Sequence, residues 1–212
     1  MKGIITADVV GSTRIPQEQR GILPEVLHKL LLQLQSISPL RLEIYRGDSF
    51  QVEVERYEYT PLIAALLRIG MVSMSLNKAY RLDARMSIGI GEVSYVGESL
   101  GQSDGEAFVL SGRMFDSLGK RKLKITTPRA TANEELSVLS IILDDLISCL
   151  TIAQSKVVFE CLYNPEIKQK SIAEKLKVKP QVISKTLNAS KASIIEVVLK
   201  RMEYVLTNYL RK

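Results

Sequence analysis

The chain has 212 residues, 46% of them hydrophobic and 25% charged, with a formal net charge of +6. This composition suits a globular protein with a sizeable core and excludes a disordered chain. No apolar run reaches the roughly 18–20 residues that cross a bilayer, and MKGIITADVV lacks the long apolar stretch and cleavage site of a signal peptide. Cys149 and Cys161 are too few for a disulfide framework or a zinc site, so a cytoplasmic protein without membrane association is expected. His28, the one histidine, leaves no Ser-His-Asp, Cys-His or HExxH arrangement and removes most hydrolase schemes.

Residues 3–10 (GIITADVV) form a short apolar run that ends at Gly11-Ser12 and reads as a buried strand. Leu23, Leu27, Leu30, Leu31 and Leu34 recur at helical spacing and predict an amphipathic helix over about 23–37, starting near Pro24. Leu40, Leu42 and Ile44 then alternate with Arg41, Glu43 and Tyr45. Phe50, Val52 and Val54 alternate with Gln51, Glu53 and Glu55. Around a Gly47-Asp48 turn, these runs predict a β-hairpin with one buried face. Thr60-Pro61 predicts a helix start, with Thr60 as its capping hydroxyl and an end near residue 79. Residues 84–93 read as a strand whose glycines let a backbone or ligand come close. A helix near 105–118, a strand at 122–126 and a helix over 133–149, capped by Asn133, complete this part.

The order β-α-β-β-α-β-α-β begins as a ferredoxin-like arrangement, an antiparallel sheet with helices on one face. The expected fold class is therefore α+β: a ferredoxin-like domain over 1–132, a connecting helix over 133–150, and an all-α domain over 151–212. Charge divides the same way. Residues 151–212 hold 12 Lys+Arg against 5 Asp+Glu, and the other 150 hold 17 against 18. A basic segment on a neutral domain points to a polyanion partner, with a solvated lysine-rich surface as the alternative.

Within that segment, KSIAEKLKVKPQVISKTL (170–187) places a short helix, a turn and a second helix that begins near Pro180-Gln181. Ala173 suits a close helix crossing, and Leu176, Val178, Ile183 and Leu187 supply apolar contacts. The second helix would present Gln181, Ser184, Lys185 and Asn188, side chains suited to phosphates and base edges in a major groove. Lys177 and Lys179, with Lys191 and Lys200, would add phosphate attraction. The segment resembles the helix-turn-helix of bacterial transcription regulators, in which a glycine usually occupies the turn position of Lys177. A left-handed lysine there costs about 1–2 kcal/mol.

Two aspartates stand out in the first part. Asp8 falls near the end of the first strand and Asp48 at the hairpin tip, and neighbouring strands would bring their carboxylates together. Two carboxylates with a phosphate-bearing ligand suit Mg²⁺ or Mn²⁺, and the amides of Gly11, Ser12 and Thr13 suit phosphate oxygens. The alternative is that both aspartates serve only their turns, and the Arg46-Gly47-Asp48 tripeptide reads as a coincidence.

ADVVGST (7–13), RGDSF (46–50), SIGIGEV (87–93) and GEAFVLSGR (105–113) are similar, in order, to four segments of class III nucleotide cyclases. The resemblance implies metal ligation by Asp8 and Asp48, a transition-state role for Arg113, and a homodimer with sites between subunits. Two positions depart from it: the family's catalytic asparagine is Val109, and its purine-reading lysine is Ile44. With the helix-turn-helix, the whole chain also resembles the SatD family. The expected function is thus a DNA-binding regulatory protein whose degenerate cyclase-like domain senses a nucleotide or dimerises. The alternative is a divergent metal-dependent nucleotidyl cyclase or transferase.

Overall fold

A computed structural model of the chain describes residues 1–14, 21–45 and 47–210. Arg46, part of two motifs above, lies outside the described residues. The elements are β1 (Lys2–Val9), α1 (Ile22–Leu34), β2 (Leu40–Tyr45), β3 (Ser49–Val54), α2 (Thr60–Ser73), β4 (Ala84–Gly91), α3 (Glu106–Asp116), β5 (Leu123–Thr126), α4 (Ala130–Ser148), α5 (Ile152–Tyr163), α6 (Gln169–Leu176), α7 (Pro180–Ala189) and α8 (Ala192–Leu210).

The five strands form one sheet in the order β2-β3-β1-β4-β5. β1 lies between β3 and β4 and is antiparallel to both. The first four strands thus have the ferredoxin-like order expected from the sequence. β5 departs from it, because it pairs parallel to β4. Parallel neighbours need a crossover connection, and α3 supplies one.

Strand periodicity divides the sheet into an apolar and a polar face. Ile5, Ala7, Val52, Phe50, Ile88, Met86 and Ile125 are buried in one core, together with Leu27, Leu30 and Leu34 of α1 and Ile63, Leu66 and Leu67 of α2. α2 is buried almost all round, as befits a helix wrapped by others; α1, α4, α5 and α8 all contact it. The second face carries Thr6 and Asp8, and α3 covers part of it.

Gly89 sets that second layer. A Cβ there would sit 2.1 Å from the Ala107 carbonyl oxygen and 2.5 Å from the Ser111 nitrogen, so glycine alone permits α3 to lie this close. Thr6 Oγ1 then donates to Ser111 Oγ at 3.0 Å. The expectation of helices on one face is therefore corrected. The glycines of β4 announced a close approach, and the approaching group is a helix backbone on the opposite side from α1 and α2.

Three helix ends also differ from expectation, each for a local reason. Thr60 is the first residue of α2 and not its cap; its hydroxyl donates to the Tyr57 carbonyl. α2 stops at Ser73, and the Asn77 side chain then accepts from the amides of Ala79 and Tyr80 in a turn that cannot continue a helix. α4 begins at Ala130, three residues before Asn133, whose side chain instead holds both the amide and the carbonyl of Thr127.

The last four helices divide by their packing. α5 and α8 give Val158, Phe159, Ile195, Leu199, Met202 and Leu206 to the main core. α6 and α7 close over a small cluster of Ile172, Ala173 and Ile183 with Val157 of α5. α6 ends at Lys177 in the left-handed conformation (φ 54°, ψ 44°). The amides of Val178 and Lys177 reach back to the carbonyls of Ala173 and Glu174, completing a Schellman cap without glycine.

One charged cluster lies inside the apolar layer. Arg68 of α2 is fully buried and pairs with Asp83 at 3.0 Å and Asp144 of α4 at 2.8 Å. Lys122 reaches Asp83 at 2.8 Å, and its amide donates to Asp144. Burial alone would raise the Asp83 pKa, but Arg68 and Lys122 outweigh it and hold the carboxyl below its ordinary value. The resulting stabilisation is present above the ordinary aspartate value and is lost as pH falls towards the lowered one. Asp83→Asn should destabilise the protein by about 3 kcal/mol at neutral pH, because it leaves the buried guanidinium with Asp144 as its one remaining carboxylate among the described residues. Urea unfolding as a function of pH should show the gap to wild type closing in acid; a pH-independent gap would contradict this account.

Candidate functional site

Both conspicuous aspartates lie at one end of the sheet, on or beside its polar face. Asp8 is opposite Ser49 on one side and Arg85 on the other. Ser49 Oγ donates to Asp8 Oδ1 at 3.2 Å, and Arg85 Nη2 lies 3.5 Å from Asp8 Oδ2. The hairpin tip is tied in by the Val9 amide, which donates to the Asp48 carbonyl at 3.0 Å. Ser12 Oγ donates to Asp48 Oδ2 at 2.8 Å. The turn at Gly11 (φ 68°) therefore folds back over the hairpin, which only glycine does without strain. It is anchored from behind by the Val10 amide on the carbonyl of Asp83.

This arrangement sets Asp8, Asp48, Gly11 and Ser12 at one end of the sheet, with Thr13 exposed next to Ser12 in the turn. Asp8 keeps 30% of its side chain exposed, and each carboxylate is oriented by a serine hydroxyl. Among the described residues, no group of three or more His, Cys, Asp or Glu side chains is placed to hold a metal. The donor set fits a hard divalent cation that takes two carboxylates and completes its shell with water and phosphate oxygens. Arg85 competes for that role. It sits on Asp8 while its guanidinium lies 5.4 Å from the centre of the Phe115 ring.

Arg113 is not part of this cluster. On α3, Ala107 and Ser111 are buried against the sheet, and a residue two positions further along a helix points roughly the opposite way. Arg113 and Val109 accordingly face outward, Val109 being 40% exposed. Ile44 faces the other way again. It packs on the main core below the hairpin, so position 44 does not present a side chain to the Asp8 face.

The sequence reading missed the polar line that crosses this face. Tyr45 Oη donates to Gln51 Oε1 at 3.0 Å, Gln51 Nε2 to Thr6 Oγ1 at 3.2 Å, and Thr6 to Ser111 of α3. Burial, and then the neighbouring Glu43 carboxylate, push the Tyr45 phenol above its ordinary value, so it remains a neutral donor. Arg85 was missed as well. Its place off the core side of β4 was legible, but its pairing with Asp8 depends on the β1–β4 register.

The second candidate surface is on α7. Gln181, Ser184, Lys185 and Asn188 are all exposed and follow the i, i+3, i+4, i+7 spacing of one helix face. Ile183 points the other way into the small cluster. Lys177 and Lys179 are exposed in the turn before α7. From Lys168 to Lys191 the chain has seven lysines and a single acidic residue, Glu174.

No protein-family model and no curated protein matches the chain. Solved structures similar to it include nucleotide cyclases. One bacterial light-regulated adenylyl cyclase aligns at a TM-score of 0.42 and 14% identity, over 59% of this chain and 74% of that one. The active GGEEF domain of a diguanylate cyclase from Vibrio cholerae aligns at 0.41 and 15%, over 60% and 83%. A second light-regulated adenylyl cyclase structure aligns at 0.41 and 16%, over 59% and 42%. No described helix is long and apolar enough to cross a membrane.

Arg85→Ala should free one oxygen of Asp8; if the two aspartates take Mn²⁺, its affinity measured by calorimetry should rise severalfold. Unchanged affinity would show that Arg85 does not guard the carboxylate.

Proposed function

We propose that the chain is a DNA-binding regulatory protein whose reading element is α7, and whose sheet domain serves as a nucleotide sensor or a dimerisation module. The observation that carries this reading is the α7 surface. Four polar side chains lie on one exposed face, none bonded to a described residue, on a helix fixed from behind by Ile183 and flanked by lysines. A helix of this size fits a major groove, where Gln181 and Asn188 suit base edges and Ser184 and Lys185 suit bases or phosphates. The resemblance to bacterial helix-turn-helix regulators and to the SatD family agrees with it. The division at residue 150 is then one of charge and function, since α5 and α8 share the main core.

Lys177 separates DNA contact from simple packing. Lys177→Gly removes a cation and relieves a left-handed residue, so the two readouts move in opposite directions. Stability should rise by about 1 kcal/mol. The slope of log K against log salt should fall by about 0.9 if Lys177 meets a phosphate. A gel shift against genomic fragments, read with Gln181→Ala and Lys185→Ala, tests the surface itself. Absence of any shift at low salt, where phosphate contacts are strongest, would end this reading.

A second reading is favoured by the sheet-end cluster: a metal-dependent nucleotidyl cyclase or transferase. Asp8 and Asp48 would hold Mg²⁺ or Mn²⁺, and the amides of Gly11, Ser12 and Thr13 would receive phosphate. The ion would supply charge neutralisation on the transferring phosphoryl group. Arg113, turned outward on α3, would act on the site of a second copy in a homodimer. Nothing at position 109 can orient a ribose, which weighs against full cyclase chemistry. Thermal stability with ATP, GTP and cyclic nucleotides, with and without Mn²⁺, tests this reading. A bound ligand at 100 times its dissociation constant stabilises by about 2.7 kcal/mol, and Asp8→Ala/Asp48→Ala should abolish that shift. A shift that survives in the double variant would place the ligand elsewhere.

A further inference from the structure

A cavity of about 370 Å³ opens where α2, α5, α8 and the 57–59 turn meet, and neither Asp8 nor Asp48 nor any residue of α7 lines it. Its floor is apolar, built from Leu62, Leu162, Leu199 and the ring of Tyr59. Its rim is acidic: Glu58, Glu196 and Glu203 face Lys200 alone among the lining cations. This size and this mixture of an apolar body with a few placed charges are typical of small-molecule sites.

The cations within reach are already committed. Lys200 lies on Glu196 at 2.6 Å. Arg56 lies 3.4 Å from Glu58 and 4.3 Å from the centre of the Tyr59 ring. Glu203 makes no hydrogen bond and no ion pair with any described residue. Burial first, and then repulsion from Glu58, raise its pKa against the weaker pull of Arg56 and Lys200. Holding that carboxylate ionised therefore works against the fold at neutral pH, and a bound positive charge would offset it.

We propose that this cavity is a binding site for a small organic cation with an apolar body, an amine or quaternary ammonium seated on the leucine floor with its charge between Glu203 and Glu58. A bare metal ion fits poorly. Among the described residues, no group of three acidic, cysteine or histidine side chains is placed to chelate one. The apolar floor would contribute nothing to such an ion, whereas it stabilises an alkyl chain in proportion to the area buried. A neutral or anionic amphiphile would leave Glu203 unpaired or meet it with repulsion. The assignment is independent of what α7 binds, because none of the residues lining the cavity lies in α6 or α7.

The test is calorimetric titration of the full chain with n-alkyltrimethylammonium ions of increasing length, below their micelle concentrations. Alcohols and sulfonates of the same alkyl length serve as controls. The cations should bind with affinity that rises with chain length, while the sulfonates should not bind. Glu203→Gln should weaken the cations by about tenfold, the size of one partly screened ion pair, and narrow their advantage over the alcohols. That variant should also melt at a higher temperature than wild type at neutral pH, with the difference vanishing below the ordinary glutamate range. Leu62→Trp, which fills the floor from the surface of α2, should remove binding without changing the fold seen by circular dichroism. Equal binding of cations and alcohols, or unchanged cation affinity in both variants, would overturn the proposal.

Discussion

The buried guanidinium of Arg68 holds together parts of the chain that the sheet alone would not. Its partners are Asp83 just before β4 and Asp144 in the middle of α4, and Lys122 before β5 joins Asp83. Four segments thus converge on one charge cluster beneath the apolar layer. Such clusters contribute little net stability compared with hydrophobic groups of equal volume, but breaking one leaves an uncompensated charge. Their larger effect is on geometry. With Asp83 fixed, its side chain starts β4 through the Ala84 amide, and its carbonyl holds the amide of Val10. The turn that carries Gly11 and Ser12 therefore stands on the same cluster, and so does the position of Asp48 through Ser12.

How much of this was legible depended on the range of each interaction. The hairpin was, because LRLEIY and SFQVEV alternate cleanly and one face must be buried. That alternation also placed Ile44 on the core side, although similarity to the cyclases would ask position 44 to read a base. The local pattern prevailed, since reversing it would bury Glu43 and Tyr45. The α6–α7 pair was legible for the same reason: Ala173, Ile183 and the turn at Lys177 act within fifteen residues. Arg68 was visible only as an oddity in an apolar helix, because its partners lie 15 and 76 positions away. The side of the sheet taken by α3 was not readable either. Gly89 shows that something comes close, but the identity of the visitor is a tertiary fact.

The candidate site illustrates the same limit. Sequence similarity gathered Asp8, Asp48 and Arg113 into one reaction, while helix phase on α3 separates Arg113 from the two aspartates within one chain. Ala107 and Ser111 must face the sheet because Gly89 admits them there, and Arg113 must then face solvent. A part for Arg113 in a reaction at the two aspartates would therefore call for a second copy of the chain. Arg85 adds a further constraint. A guanidinium 3.5 Å from Asp8 partly offsets the charge of that carboxylate from within the chain.

α5 and α8 connect the basic surface to the rest of the chain. They lie in the main core, yet Val157 of α5 also lies in the small cluster beneath α7, and α7 contacts both helices. The orientation of α7 is therefore set by two helices packed against α2 and α4, and no flexible linker intervenes. The acidic cavity sits on that same pair, between Leu162 of α5 and Leu199 of α8. Protein interiors are close-packed, so the packing that fixes Leu162 and Leu199 in the main core also fixes the two helices against which α7 rests.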